Sequence, residues 1–231
     1  MVQNNKIGQI ERETQNRLIN LFKDKNKLMN GMNKFKKFLP YFVKKRSRSE
    51  SLTLQEHFFR LALREIGVSC GRVKVDHHNG SCYHRKTGWV PIIFPRAMID
   101  FLNKLPKNKN RMYFFKGVVS ANRTWLTKYP DVVESGYGRD ANVKYQLDID
   151  YYKGLSSSLF GLAPIGDCPW SYRFFESIMC KAIPILGDTD QDIFSDGYYF
   201  LRDSGDHKYD SEAAERNLTK MIKNHTLPLV T

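Results

Sequence analysis

From residue 111 onward, short apolar runs alternate with amphipathic segments. The runs Arg111–Phe115, Leu159–Ala163, Ile183–Leu186 and Tyr198–Leu201 have the length and β-branched or aromatic content of strands, and Asp131–Val133 reads as a shorter one. Between them, Asn122–Lys128, Asp150–Ser156, Ser171–Ala182 and Asp210–Lys223 carry apolar residues at helical spacing. Strands alternating with helices predict a parallel sheet covered by helices, with ligands held by the loops at the carboxyl ends of the strands. Upstream, Thr53–Ile66 reads as a helix stopped by Gly67, with Leu54, Phe58, Leu61 and Ile66 on one side. Arg72–Val75 alternates like a strand and breaks into the polar turn Asp76–Gly80; Trp89–Phe94 is a second strand and Ala97–Leu105 a short helix. Lys107–Asn110 reads as a linker.

The N-terminal part differs in charge. Of the formal +13 on the 231-residue chain, residues 1–50 hold +9, from 13 Lys/Arg against 4 Asp/Glu. Such a bias suits a polyanion or an anionic membrane surface. Yet Leu18, Leu21, Phe22, Leu28, Met29, Met32, Phe35 and Leu39 recur at helical spacing, so an amphipathic helix packed on the body with a solvated lysine face is the favoured reading. Lys44–Ser49 reads as an exposed loop, with no nucleic-acid motif beside it. No run approaches the ~18 apolar residues of a membrane helix. Residues 1–10 lack the apolar stretch of a signal peptide. Cys70, Cys82, Cys168 and Cys180 form no CxxC pair, which points to free, mostly buried thiols in a reducing compartment and to a soluble, cytoplasmic protein.

The segment Leu159–Glu176 carries the chemistry. It reads as strand, Gly/Pro turn, then a helix opening near Ser171. A helix N-terminus with free amides suits a phosphate. Ser171 can cap it, Arg173 can offer a planar fork of donors to a diphosphate, and Glu176 one turn on can accept hydrogen bonds from the hydroxyls of a ribose. The same residues can equally make a cap and a surface ion pair.

The string Pro164-x-Gly166-Asp167-x-Pro169-Trp170-Ser171-x-Arg173-x-x-Glu176, followed by Ile183-Pro184-Ile185-Leu186-x-Asp188, strongly resembles the exostosin family of glycosyltransferases. Phe114-Phe115-Lys116-Gly117 with Arg123 looks like that family's strand, glycine turn and arginine-bearing helix, and Tyr151-Tyr152-Lys153-x-Leu155-x-x-Ser158 like its helix before the motif strand. The resemblance covers roughly residues 111–190. It implies an α/β, GT-B-like fold of two facing Rossmann-like parallel-sheet domains, the N-terminal one reduced. The corresponding divisions are an acceptor-side domain over 1–108 with the basic amphipathic helix, a nucleotide-sugar domain over 109–205, and a closing helix and tail over 206–231. It also implies inverting transfer from a UDP-sugar, xylose being one candidate, to a glycan hydroxyl without a bound metal or other cofactor, as in soluble microbial or viral members. Carried over residue by residue, Arg173 and Arg123 would contact the diphosphate and Glu176 the ribose, while Pro169, Trp170, Ser171 and Tyr172 would shape the donor pocket. Two positions depart from the family: Ile165 stands where a basic residue is common, and Cys180-Lys181-Ala182 replaces a glycine.

Inverting transfer needs a base on the acceptor side. Asp76, at the carboxyl end of its strand, is the first candidate; His77 and His78 follow, and Asp76 with Asn79 can also simply make the turn. Two D-x-D triplets, Asp188-Thr189-Asp190 and Asp148-Ile149-Asp150, support an alternative Mn²⁺-dependent transferase, and His77-His78-x₅-His84 offers nitrogen ligands on paper. A third reading is a basic module that binds nucleic acid or a membrane. With the transferase reading the partners are the UDP-sugar and a glycan acceptor, no nucleic acid, and a weak anionic-membrane contact through residues 17–48. Tyr83, Trp89, Trp125 and Tyr137 are the aromatics that could stack on a sugar ring.

Overall fold

A computed structural model describes residues 50–228 apart from 118, 120, 131 and 136–147. The amphipathic segment over 17–39, the basic loop over 44–49 and Tyr137 lie outside the described residues, and with them the membrane-contact reading of residues 17–48.

The fold is α/β. Helix α1 (Glu50–Glu65) leads into an antiparallel meander of β1 (Lys74–Asp76), β2 (Ser81–His84) and β3 (Gly88–Pro91), followed by α2 (Arg96–Lys104). Then come β4 (Arg111–Gly117), a 3-10 segment (Ala121–Lys128), β5 (Val133–Ser135), α3 (Ile149–Ser156), β6 (Ser158–Leu162), α4 (Tyr172–Met179), β7 (Ile183–Leu186), β8 (Leu201–Arg202) and α5 (Ser211–His225). The second sheet has the order β5-β4-β6-β7-β8, every pair parallel. Read from β4, that is the doubly wound order 2-1-3-4-5, so the winding reverses between β4 and β6.

Alternation on the strands separates the two faces. Phe114 points into the core shared with Tyr151 and Tyr152 of α3 and Phe174, Phe175 and Ile178 of α4. Phe115 points the other way, into a core with Leu126, Phe160, Leu162, Ile183 and Ile185. The helix expected over 122–128 is a 3-10 segment interrupted at Arg123 (φ −126°, ψ 25°). At the β6–α4 contact a Cβ on Gly161 would overlap Ser177 Oγ and lie 2.9 Å from Ser177 Cβ, so this position keeps helix and sheet close.

The expectation of two Rossmann-like domains is met by one parallel sheet among the described residues. The N-terminal part carries a meander instead: its strands are joined by the turns 77–80 and 85–87, far too short for the crossover that parallel neighbours need. Strand β2 was not expected: Ser81-Cys82-Tyr83-His84 follows the polar turn directly and has only two apolar residues to mark it. Phe58, Phe94, Ile99 and Leu102 join Tyr152, Phe175, Ile178 and Met221 in one core, so residues 50–105 pack directly on the layer that covers the parallel sheet. Two hydrogen bonds tie the end of α5 to the same segment: Phe94 N–H donates to the His225 carbonyl and His225 Nδ1 to the Ile92 carbonyl, both at 2.8 Å. Glu65, at the end of α1, accepts from the Arg96 and Ala97 amides at 2.7 and 2.9 Å, serving the α2 N-terminus that Pro95 leaves uncapped. Among the described residues no helix is long and apolar enough to cross a membrane.

Candidate functional site

The loops that leave β4 and β6 at the point of reversal bring two arginines together. Arg123 follows β4 and Arg173 opens α4 after β6; both line a cleft of about 200 Å³ with His77, Gly166, Asp167, Cys168, Trp170, Ser171 and Tyr172. A crevice outside the carboxyl ends of strands at a winding reversal is where doubly wound sheets hold ligands.

Arg173 is held from below by the sheet. Its Nη2 donates to the Lys116 carbonyl at 2.9 Å, its guanidinium lies 4.8 Å from the centre of the Phe115 ring, and its buried Nε finds no acceptor among the described residues. Arg123 Nε donates to the Ile165 carbonyl at 3.3 Å. Burial, and then the charge of Arg173, hold the Arg123 guanidinium below its usual pKa, while Asp167 and Asp190 pull the other way. Two like charges held at one cleft, each anchored through a backbone carbonyl, form a grip for an anion.

The helix N-terminus itself is less open than the sequence suggests. Ser171 caps α4, its Oγ accepting from Arg173 N–H at 3.2 Å, and the Ser171 amide donates to Asp192 Oδ2 at 2.9 Å. Asp192 also accepts from the Phe194 amide at 2.9 Å. Burial, reinforced by Asp190, pushes its carboxyl up to about 6 despite both bonds. A carboxylate thus already answers the end of the helix, and the positive charge in the cleft comes from the guanidiniums.

The remaining motif residues divide between wall and scaffold. Trp170 is 3% exposed; its Nε1–H donates to the His77 carbonyl at 2.8 Å and its ring meets those of Tyr172 and His77 edge-on. It joins the meander to the α4 turn. Tyr172 packs against Phe58 and Phe94, and the Pro169 carbonyl accepts from the Ile193 amide. Glu176 is 0% exposed, its Oε1 accepting from Tyr152 OH at 2.9 Å and its Oε2 from Tyr151 OH at 3.0 Å. The ribose role carried over for Glu176 is therefore corrected: the carboxylate lies in the core between α3 and α4, committed to two phenols, and does not line the cleft.

Among the candidates for the base, the structure changes the order. Asp76 accepts from Asn79 N–H at 3.1 Å and from Asn79 Nδ2 at 2.8 Å, bonds that lower its pKa. It makes the turn and does not line the cleft; His78 is exposed and does not line it either. The placement expected for Asp76 and His78 is corrected: of the three candidates for the base, His77 is the one that lines the cleft, because the turn places it against Trp170. Its pKa is lowered, by burial first, with Asp167 and Asp76 opposing and His78 adding.

The D-x-D carboxylates are engaged locally. Asp188 Oδ1 accepts from Ser204 N–H and Oγ, Asp190 Oδ2 from Gly187 N–H, and Asp148 caps α3 through Tyr151 N–H. His84 is buried and accepts from Lys86 N–H. Among the described residues no three His, Cys, Asp or Glu side chains gather as a metal site. Of the aromatic candidates, Tyr83 and Trp89 pair across β2 and β3, and Trp125 packs edge-on with Tyr129.

Sequence reasoning did not single out three residues that support the lining: Gln55, whose Oε1 lies 3.3 Å from His77 Nδ1, Gly117, which leaves room for the Arg173 guanidinium, and Asp192, which accepts from the Ser171 amide. A Gln at helical spacing from Phe58, Phe59 and Ala62 was the available signal for the first; the other two depend on tertiary placement. The chain matches no protein-family model and no curated protein.

Proposed function

We propose that the protein is a glycosyltransferase that takes its sugar from a nucleotide diphosphate donor, a UDP-sugar, and passes it with inversion to a glycan hydroxyl. Residues 109–205 act as the donor half of a GT-B-type arrangement, and the meander and its turn supply the acceptor side. The observation that carries this reading is the convergence of Arg123 and Arg173 on one cleft where the sheet reverses its winding.

In this reaction the acceptor oxygen attacks the anomeric carbon while His77 takes its proton, and the bond from that carbon to the diphosphate breaks on the opposite side. The UDP that departs carries the electron pair and the negative charge, which the two fixed guanidiniums stabilise without reorganising. Burial favours the neutral ring of His77, the form a base requires. The guanidiniums meet the leaving group's charge directly, so the reading calls for no metal ion.

Calorimetric titration of UDP in EDTA tests it. Wild type should bind and Arg173→Ala should not, with circular dichroism unchanged between them. Equal affinity in the two proteins sinks the reading. Binding by wild type only after Mn²⁺ is added would transfer the role to a metal-assisted site.

A further inference from the structure

Resting on the reading of His77 as the proton acceptor, we propose that Gln55 is a positioning residue that fixes which ring nitrogen of His77 carries the proton. Gln55 is 0% exposed on α1. Its Nε2 donates to the Ser81 carbonyl at 3.3 Å and to Cys82 Sγ at 3.5 Å. Turning the amide over would set its oxygen against the Ser81 carbonyl, acceptor against acceptor, so the orientation is determined by partners on β2. The Cys82 thiol, pushed up to about 12 by burial, remains an uncharged S–H and leaves that arrangement unchanged at neutral pH.

With the amide nitrogen committed to β2, the oxygen is the atom that meets His77: Gln55 Oε1 lies 3.3 Å from His77 Nδ1. An oxygen there demands a donor, so Nδ1 bears the hydrogen and Nε2 is the ring's lone-pair nitrogen. The ring is also fixed from the other side, edge-on to Trp170 at 5.5 Å, with the His77 carbonyl bonded to Trp170 Nε1. Had the residue at 55 offered a donor, Nε2 would have carried the proton and the ring would have lost its capacity as a base through that nitrogen. Gln55 thus acts on the reaction through His77, by selecting a tautomer.

The experiment is a long-range ¹H–¹⁵N correlation of histidine side chains in the ¹⁵N-labelled full chain, with His77 assigned from the His77→Gln spectrum. Wild type should show a protonated Nδ1 and an unprotonated Nε2. Gln55→Leu should shift His77 toward the other tautomer. Gln55→Glu should raise the His77 midpoint by about one to three pH units, as a carboxylate at this distance favours the imidazolium; Asp167, Asp76 and His78 are unchanged between the proteins and fall out of the comparison. A protonated Nε2 in wild type overturns the proposal, even if neither variant folds. An unchanged tautomer in Gln55→Leu or an unmoved midpoint in Gln55→Glu overturns it as well. UDP titration of the same wild-type sample separates the two ideas: an Nδ1-protonated ring without UDP binding refutes the transferase reading alone, and UDP binding with a protonated Nε2 refutes the role of Gln55 alone.

Discussion

Replacing Gly117 by alanine tests the position of Arg173 without touching the arginine. A Cβ at residue 117 would overlap Arg173 Nη2, lie 3.1 Å from its Cζ and 3.2 Å from Phe115 Cζ. The backbone at 117 sits outside the left-handed region, so alanine is conformationally acceptable and the conflict is with side chains. The guanidinium is the far end of a flexible chain and will yield. In yielding it loses the bond to the Lys116 carbonyl, worth roughly 1.5–3 kcal/mol for a charged donor, and the stack on Phe115, worth about 0.5–1 kcal/mol. Water can answer the displaced guanidinium, so the unfolding free energy should fall by less than about 2 kcal/mol. The anion site should suffer more: one charge-assisted bond to the diphosphate, roughly 1.5–3 kcal/mol, corresponds to about 10- to 150-fold weaker UDP binding. Paired urea titrations and calorimetry on wild type and Gly117→Ala read both quantities. UDP affinity within twofold of wild type in a folded Gly117→Ala protein would refute the reasoning, because the contact that places Arg173 would then have no bearing on the ligand.

Other consequences concern the packing, the thiols and the buried titratable groups. Gly161→Ala forces a methyl onto Ser177 of α4, a backbone-anchored neighbour that cannot swing away, and should destabilise by about 1–3 kcal/mol in urea unfolding, more than Gly117→Ala. Cys82 and Cys180, buried and with thiols pushed up to about 12, should resist alkylation in the native protein while Cys70 and Cys168 react; UDP should protect Cys168, which lines the cleft, and mass spectrometry of labelled peptides reads this directly. Asp192 and His225 pull stability in opposite directions below neutrality. The Asp192 carboxyl is raised to about 6, so its contribution is full below about pH 4 and lost as pH rises through 6; His225 is lowered to about 4, so its contribution is full above about 6.5 and lost as pH falls through 4. Each is worth about 3 kcal/mol at the extremes, and Asp192→Asn should therefore steepen the loss of stability between pH 6.5 and 4; an unchanged slope would refute the assignment.

What the sequence revealed followed the range of the forces involved. The β4–α5 half was legible because strand and helix periods are local, and the four buried residues of β7 mark a strand covered on both faces. Arg173 was legible because the Ser171 cap and the turn before it are contiguous. Glu176 was misplaced because helical spacing says only that it lies within 60° or so of Arg173; which of the two reaches the core is decided by Tyr151 and Tyr152, twenty-odd residues away on α3. Asp76 was favoured over His77 because a carboxylate after a strand is a reasonable base, yet Asn79, three residues on, already satisfies that carboxylate. The meander itself was half read: β1 and β3 alternate, but β2 has only Cys82 and Tyr83 as apolar markers.

The segment Pro164–Glu176 thus carries two kinds of residue. Arg173 supplies charge, whereas Trp170, Tyr172 and Glu176 spend their side chains inside the protein: on the His77 carbonyl, on Phe58 and Phe94, and on two tyrosines. The scaffold role has a functional consequence, since the proposed base and the anion grip come from different sheets. The hydrogen bond from Trp170 to His77, with the edge-on rings around it, constrains the distance between the two, and α1 behind the meander adds Gln55 as a further constraint on the same histidine. A cleft assembled this way needs little from the helix N-terminus, which Asp192 already occupies. It depends instead on keeping two cations and one imidazole in register, and the buried residues of the motif hold that register.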